Sequence, residues 1–556
     1  MLFLRRRRYF LTLLRIKYYI YRDDNAKFCL QATFFRAKKP FIMISKQKYL
    51  LLIVFRGLGL FLNVVSVLIT ARYFGTSQDR DFFVIAMSVV TVLPMFLYGS
   101  LNEIYRTKFV HIMETLGTEK AVDSARSVVF WISAMSMAII LLGECYAEAI
   151  AGFFLGDSKS SSFPMLVTLI RITLPIIFLS QLSSFWIQTL NCFNIYFIPE
   201  ISGLFSSVIN ISVVVLLFDT LGVFSLVISS YAGAGLLTVI LVFIVRKNIP
   251  GMISLRIVRF GDIRPYIVTA LPFILGYWIG QISIIVEKKL SAGMGVGNVA
   301  LLDYAQKLLS IPQGVIFSVV TAILSPTLAK HYANWESAHF ANELWSFYRF
   351  IVIILAPCVF CMFFLPREIG SILFATKISP SEISVFGIVA MIYGFGMLGV
   401  INQIIFSQAL IAQSKVPLVS VIALVNQIMI LICNLTFAYK WGIAGLAISW
   451  SAGHILCGIA LMYASRALER GSVILILRLC ALYLLSFLTV GIINHFLTVL
   501  ADVPRIAVNL VILCGIMYII MRVLRFEEAR KLGQYLSCFN SWIGSEKTKK
   551  LPEKNR

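Results

Sequence analysis

Apolar runs of about twenty residues recur from residue 49 to residue 523, each closed off by a short polar stretch. A helix rising 1.5 Å per residue needs ~20 mostly apolar residues to cross a ~30 Å hydrocarbon core, so each run predicts one membrane span. About fourteen runs qualify: 49–71, 82–105, 127–154, 164–190, 197–218, 221–246, 266–286, 298–324, 347–366, 383–411, 416–438, 441–464, 472–497 and 505–523. The pattern therefore predicts an all-α, polytopic membrane protein.

Composition agrees, because 59% of the 556 residues are hydrophobic and only 13% are charged, more uninterrupted apolar helix than a soluble fold can bury. The formal charge of +23 does not indicate nucleic acid, since the cations collect at particular loops and tails rather than on one face of a soluble domain. Arg5 to Arg8, Arg15, Lys17, Lys38, Lys39, Lys46 and Lys48 lie before the first span. Arg246, Lys247, Arg256, Arg259 and Arg264 lie between the sixth and seventh, and a basic tail follows Arg522. With alternating spans, all three regions fall on one side, and the excess of Lys and Arg assigns that side, with both termini, to the cytoplasm. Residues 1–48 read either as a basic cytoplasmic tail or as sequence preceding a true start at Met43, because Arg15 and Lys17 break the only apolar run that resembles a signal peptide.

The chain also repeats itself. Pro94 and Pro312 are 218 positions apart, as are Pro199 and Pro417, while Gly222 and Gly442, and Ala232-Gly233 and Ala452-Gly453, are 220 apart. Six spans per unit is an even number, so the two copies share one orientation and are related by an axis along the membrane normal, an arrangement found in transporters. The expected organisation is a first lobe at 49–246, a basic linker at 247–265, a second lobe at 266–466, two further spans within 467–524, and a cytoplasmic tail at 525–556.

An ionised group at mid-bilayer costs ~2.5–3.5 kcal/mol on insertion scales, so it requires a partner, a wet cavity or a route to the interface. Arg56 lies one-third of the way into the first span, whereas Arg171 and Arg478 lie nearer span ends and can snorkel. Glu287-Lys288-Lys289 closes the seventh span. Asp303 and Lys307, four apart on one helical face, open the eighth. This group reads either as an interfacial salt bridge or as a cationic lining for an anionic substrate, with the carboxylates satisfying the empty site.

Motifs of soluble enzymes, such as GxSxG, HExxH or a phosphate-binding loop, do not occur. Cys358 and Cys361 form a CxxC inside an apolar run with no second pair and no nearby His, which favours packing over metal or redox chemistry. No cofactor, metal or catalytic residue is expected.

Several short motifs resemble the MurJ/MviN family of lipid-linked oligosaccharide flippases, within the MATE-like transporter superfamily. Arg56-Gly-Leu-Gly59 is similar to its opening motif, and Ala71-Arg72-Tyr-Phe-Gly75 and Asp81-Phe-Phe-Val-Ile-Ala86 are similar to the two that follow. Gln281-Ile-Ser283 with Glu287-Lys288, Tyr304-Ala-Gln-Lys307-Leu308, Pro312-Gln-Gly314 and Leu324-Ser-Pro326 complete the series. The resemblance covers residues 50–466. It implies fourteen helices, a hydrated cationic cavity that includes Arg56, Arg72, Asp81 and Lys307 and receives a diphosphate-sugar headgroup, and a groove for a polyprenyl tail formed by the two extra helices. Glu287, Lys288 and Asp303 join the expected substrate-binding set on charge.

Two departures bear on the substrate. Leu62-Asn63 stands where the peptidoglycan flippases usually carry a second Arg followed by an acid, and Leu93-Pro-Met-Phe96 stands where they carry paired arginines. The expected partner is a polyprenyl-diphosphate-linked glycan, either lipid II or a polysaccharide repeat unit, together with membrane lipids of a bacterial inner membrane. The alternatives are a multidrug exporter using a carboxylate for cation coupling, or a non-transporting scaffold that binds glycan-assembly membrane proteins through Glu527, Glu528, Arg530 and Lys531.

Overall fold

The computed structural model describes residues 46–156, 162–193, 195, 197–253, 260–375, 377–467 and 470–529. Residues 1–45 and 530–556 of the two basic tails, and Arg256 and Arg259 of the linker, lie outside these residues. The chain divides into two compact units, Met1–Leu51 and Leu52–Arg556. In the first, residues 46–51 are described, as helix.

Among the described residues all regular structure is helical, as lipid requires, because a helix satisfies its own backbone where no water can. In chain order the helices are α1 (Lys46–Phe74), α2 (Gln78–Leu116), α3 (Thr118–Cys145), α4 (Ala147–Leu155), α5 (Phe163–Thr173), α6 (Ile176–Cys192), α7 (Phe197–Leu221) and α8 (Phe224–Asn248). They continue as α9 (Phe260–Ala270), α10 (Ile274–Gly293), α11 (Asn298–Val319), α12 (Ser325–Ala333), α13 (Ser337–Phe364), α14 (Pro366–Phe374), α15 (Pro380–Ala412), α16 (Val416–Ala464), α17 (Arg470–Phe496) and α18 (Asp502–Val523). Among the described residues eleven helical stretches are long and apolar enough to span a membrane, α5 and α6 counting together as Phe163–Cys192, and α9 with α10, bent by 73° at their junction, bring the number to twelve when the pair is taken as one span. The fourteen segments expected from sequence are all helical. They are reached by dividing α16 at Gly442 and by including α11, whose Asp303, Gln306 and Lys307 lower its hydropathy. The bend in the seventh segment was not expected; a 3₁₀ turn at Leu271–Phe273 interrupts it, and Pro272 there has no N–H to continue an α-helix.

The sequence repeat has a structural counterpart. Gly222 (φ 52°) and Gly442 (φ 58°) each occupy a positive-φ junction between consecutive helical segments, a conformation that glycine adopts without a Cβ clash. Pro94 and Pro312 both lie inside helices that lose regularity further on, α2 at Tyr98 and α11 at the π-turn Val320–Leu324. Pro199 and Pro417 both lie in the first turn of their helices, where a missing N–H costs nothing.

Two hydrophobic cores result. One gathers Phe74 through Val299 and the other Ala300 through Ala529, with Val67 and Ala71 of α1 joining the second. The α9 residues Ile263, Tyr266 and Ala270 pack into the first core, where the Tyr266 hydroxyl lies 3.0 Å from Ser124 Oγ and its ring stacks on Tyr105. The first core thus extends past residue 266, where the sequence placed the start of the second lobe.

A polar network ties α17 and α18 to the second lobe. Arg505 bonds Glu368 Oε1 at 2.7 Å and Asn494 Oδ1 at 2.9 Å, Asn509 donates to the same Asn494 oxygen at 2.9 Å, and Ser371 donates to Asp502. Beyond the far end of α18, Arg349 of α13 bonds Glu528 at 2.6 Å and Glu527 at 3.4 Å. Both carboxylates that the scaffold reading offered to a partner are therefore engaged within the chain. Arg530 and Lys531 lie outside the described residues.

Candidate functional site

Between the two cores lies a cavity of about 410 Å³ whose wall includes Ser66 and Thr70 of α1, Arg80 of α2, Ser229 of α8, Lys288 of α10, and Asp303, Gln306 and Lys307 of α11. Its chemistry is set where the first turns of α2 approach α11. Ser77 caps α2 by accepting from Arg80 N, and this fixes the turn carrying Arg80 and Asp81.

Arg80 is 1% exposed. Its Nη2 bonds Asp303 Oδ2 at 2.9 Å, and its guanidinium lies 5.4 Å from the Phe83 ring centroid and 5.2 Å from that of Tyr304. Its Nε has no hydrogen-bond partner among the described residues. Lys307, 45% exposed, bonds the same Asp303 oxygen at 2.9 Å. Behind these, Lys288 Nζ reaches Glu287 at 3.3 Å and Gln306 Oε1 at 3.4 Å, while the Gln306 amide donates to Glu287 at 2.8 Å and to the Tyr393 hydroxyl at 3.0 Å. Arg80, Lys288 and Lys307 thus contact two carboxylates, Asp303 and Glu287, while the third carboxylate nearby, Asp81, is committed to backbone N–H groups. Such a site suits an anion, since desolvated donors act at low dielectric.

Asp81 is oriented differently. Its carboxylate accepts Gly297 N–H at 2.5 Å and Ala300 N–H at 2.7 Å, capping the N-terminus of α11 from the other core, where a carboxylate also opposes the positive end of the helix dipole. Gly297 is left-handed (φ 88°), and a Cβ there would stand 2.8 Å from Thr76. Thr76 donates to Glu382 at 2.6 Å, and Arg72 Nη2 donates to the Ile372 carbonyl at 3.4 Å. The α1–α2 loop is thereby bound to the loops on either side of it in the second lobe, closing one end of the interlobe space.

Arg56 is the residue farthest from expectation. Its Nε pairs with Glu200 Oε1 of α7 at 3.1 Å, and both side chains are partly exposed. Ser66, the first α1 residue in the cavity wall, lies ten positions on, or ~15 Å along the helix. Of the seven residues singled out from sequence, Lys288, Asp303 and Lys307 line the cavity; Glu287 backs it, Asp81 and Arg72 join its closed end, and Arg56 stands apart.

Arg80 was missed. Asp79-Arg80-Asp81 at a helix start reads as a solvated first turn, and only Tyr304 and Asp303, more than 220 positions on, show that it is buried. Elsewhere, Arg171 pairs with Glu148 at 3.3 Å. Cys358 and Cys361 are free thiols, and no group of three or more potential metal ligands occurs among the described residues.

The model of the family described as lipid II flippase MurJ matches residues 70–526. The lipid II flippase MurJ of Burkholderia cenocepacia is 24% identical over 411 residues, covering 71% of this chain and 79% of that protein. A probable lipid II flippase MurJ from Buchnera aphidicola of Acyrthosiphon pisum is 25% identical over 429 residues, covering 74% and 80%. Among solved structures, lipid II flippase MurJ in an inward closed conformation superposes with a TM-score of 0.71 at 17% identity, covering 86% of this chain and all of that one. An inward-facing multidrug resistance MATE transporter of the MOP superfamily gives 0.56 at 12% identity, covering 74% and 93%.

Proposed function

For a chain that belongs to the MurJ family of lipid II flippases, which are transporters and not enzymes, we propose that the substrate is an undecaprenyl-diphosphate-linked glycan of the lipid II class. It crosses from the cytoplasmic to the outer leaflet of a bacterial inner membrane. The observation that carries this reading is the cluster in the interlobe cavity, where Arg80, Lys288 and Lys307 outnumber the carboxylates they touch. A diphosphate accepts several charge-assisted hydrogen bonds from these cations at once.

With both termini in the cytoplasm, as the distribution of Lys and Arg indicates, the α1–α2 loop is extracytoplasmic and the latch around Asp81 and Gly297 closes the outer end. The cavity then receives its headgroup from the cytoplasmic side. Arg56, about 15 Å nearer that side along α1, is the first cation the headgroup meets. A group carrying two negative charges gains ~4.6 kcal/mol in moving outward across 100 mV, at ~2.3 kcal/mol per charge, so the membrane potential alone can drive the cycle. Cation antiport has less support, because Asp303 and Glu287 are both already paired with lysines.

The test is outer-leaflet lipid II in bacterial cells depleted of their own flippase. Expression of this chain should restore its accumulation. Failure with normal protein level in the membrane, or restored export of only a different lipid-linked glycan, would replace lipid II as the substrate.

A further inference from the structure

The arginine that sequence reading overlooked crosses between the two cores, and the lysine sharing its partner does not. Arg80 belongs to α2, whereas Asp303 and Lys307 are four apart on α11, and both cations bond the same Asp303 oxygen at 2.9 Å. Removing Arg80 from Asp303 therefore leaves the carboxylate with its own helix's cation while taking away one of the contacts between α2 and α11. We infer that Arg80 is the ligand-responsive half of an interlobe lock: a diphosphate in the cavity takes the guanidinium from Asp303, so that filling the site removes the ion pair between α2 and α11 and leaves the Asp81 contacts to hold them.

Three observations support this. An arginine keeps its proton in a protein, so a guanidinium that is 1% exposed needs an anion at all times. Asp303 supplies that anion when the cavity is empty, and a ligand phosphate can supply it when the cavity is filled. Next, Arg80 lines the cavity with one N–H donor unused, and its fixed fork matches two phosphate oxygens better than the single carboxylate oxygen it holds. Finally, Asp81 is the next residue on the same turn and carries the contacts to Gly297 and Ala300, so any movement of that turn toward a ligand also pulls on the latch. Ligand and lock compete for one cation, and thermodynamic reciprocity then requires that weakening the lock's own anion, Asp303, tightens binding, whereas loss of Arg80 weakens both.

The inference rests on the reading of the cavity as a diphosphate site, and the experiment separates the two. Full-length protein in lipid nanodiscs is titrated with farnesyl diphosphate, with farnesol as the control for apolar binding, and amide hydrogen exchange is followed across residues 295–305. Wild type should bind the diphosphate, lose affinity on Lys307→Ala, and exchange faster at Gly297 and Ala300 when the ligand is bound. Asp303→Asn, which removes the competitor without changing shape, should bind about tenfold more tightly and exchange fast without ligand. Adding Arg80→Gln to Asp303→Asn should abolish that gain. If wild type shows no binding beyond farnesol, the site reading fails and the lock with it. If wild type binds and Lys307→Ala weakens binding, but Asp303→Asn brings no tightening, the lock alone is overturned. The wild-type arm requires no variant to fold: a diphosphate that protects the amides at 297 and 300 also overturns it.

Discussion

The Asp81 carboxylate accepts the Ala300 N–H at 2.7 Å across 219 positions of sequence, almost the period of the internal repeat. The two helices so joined, α2 and α11, carry the repeat-related prolines Pro94 and Pro312. One carboxylate thus lies at the N-terminal ends of two related helices and opposes both positive dipole ends. This contact closes the molecule at the α1–α2 loop.

Substitutions that weaken the contact should loosen that end selectively. Asp81→Ala removes the acceptor for two buried N–H groups, at about 1–2 kcal/mol, and Gly297→Ala adds left-handed strain of about 1–2 kcal/mol to a close approach to Thr76. Both should raise amide exchange at residues 297–301 while leaving α17 and α18 protected. Unchanged exchange at 297–301 in both variants would mean that the latch does not hold this end.

Transport should depend on the cavity cation and on the cation displaced from it. Lys307→Ala removes a charged hydrogen-bond donor worth about 1.5–3 kcal/mol, so initial transport rates should fall roughly 10- to 100-fold at normal protein level. Arg56→Ala should also impair export, with Arg56→Lys retaining part of it. Glu200→Gln should be tolerated, because Glu200 only holds Arg56 in place. Near-normal export by Lys307→Ala would remove the cavity from the mechanism.

The Arg505–Glu368 ion pair is the one mostly buried charge contact between α18 and α14 among the described residues. Arg505→Ala leaves Glu368 without its cation, at a cost of about 3–5 kcal/mol, which should appear as a lower thermal midpoint in detergent. Replacing both, Arg505→Met with Glu368→Leu, should recover much of the loss, since no unpaired charge then remains. Equal destabilisation by the single and double variants would show that packing, rather than charge, is what Arg505 supplies.

Topology gives a fourth test. Reporter fusions after residue 466 and after residue 525 should both report cytoplasm, as the Lys and Arg asymmetry requires. An external signal at 525 would mean that the chain crosses the membrane an odd number of times.

The spans, the repeat and much of the charge cluster were legible because they are local: apolar length, glycine and proline spacing, and Asp303 and Lys307 one turn apart all appear within a short window. What was not legible depends on contacts made at long range. Nothing near Arg80 reveals that Tyr304 covers it, and Arg56, placed in the cavity by its depth along a span and by family resemblance, in fact pairs with Glu200, 144 positions away. The bend at Leu271–Phe273 was overlooked because a single proline inside an apolar run is common enough in membrane helices to be read through.

The packing of Tyr266 against Ser124 and Tyr105 constrains how this duplicated protein can be synthesised and divided. The first core includes residues up to Val299, and the second includes Val67 and Ala71, so neither half of the duplication holds everything its own interior requires. A ribosome that has released only the first six spans leaves Tyr105 and Ser124 without their Tyr266 contacts until α9 emerges. The halves are therefore interlocked during biogenesis, and a chain cut in the linker near residue 255 should yield two fragments that are stable only when co-expressed.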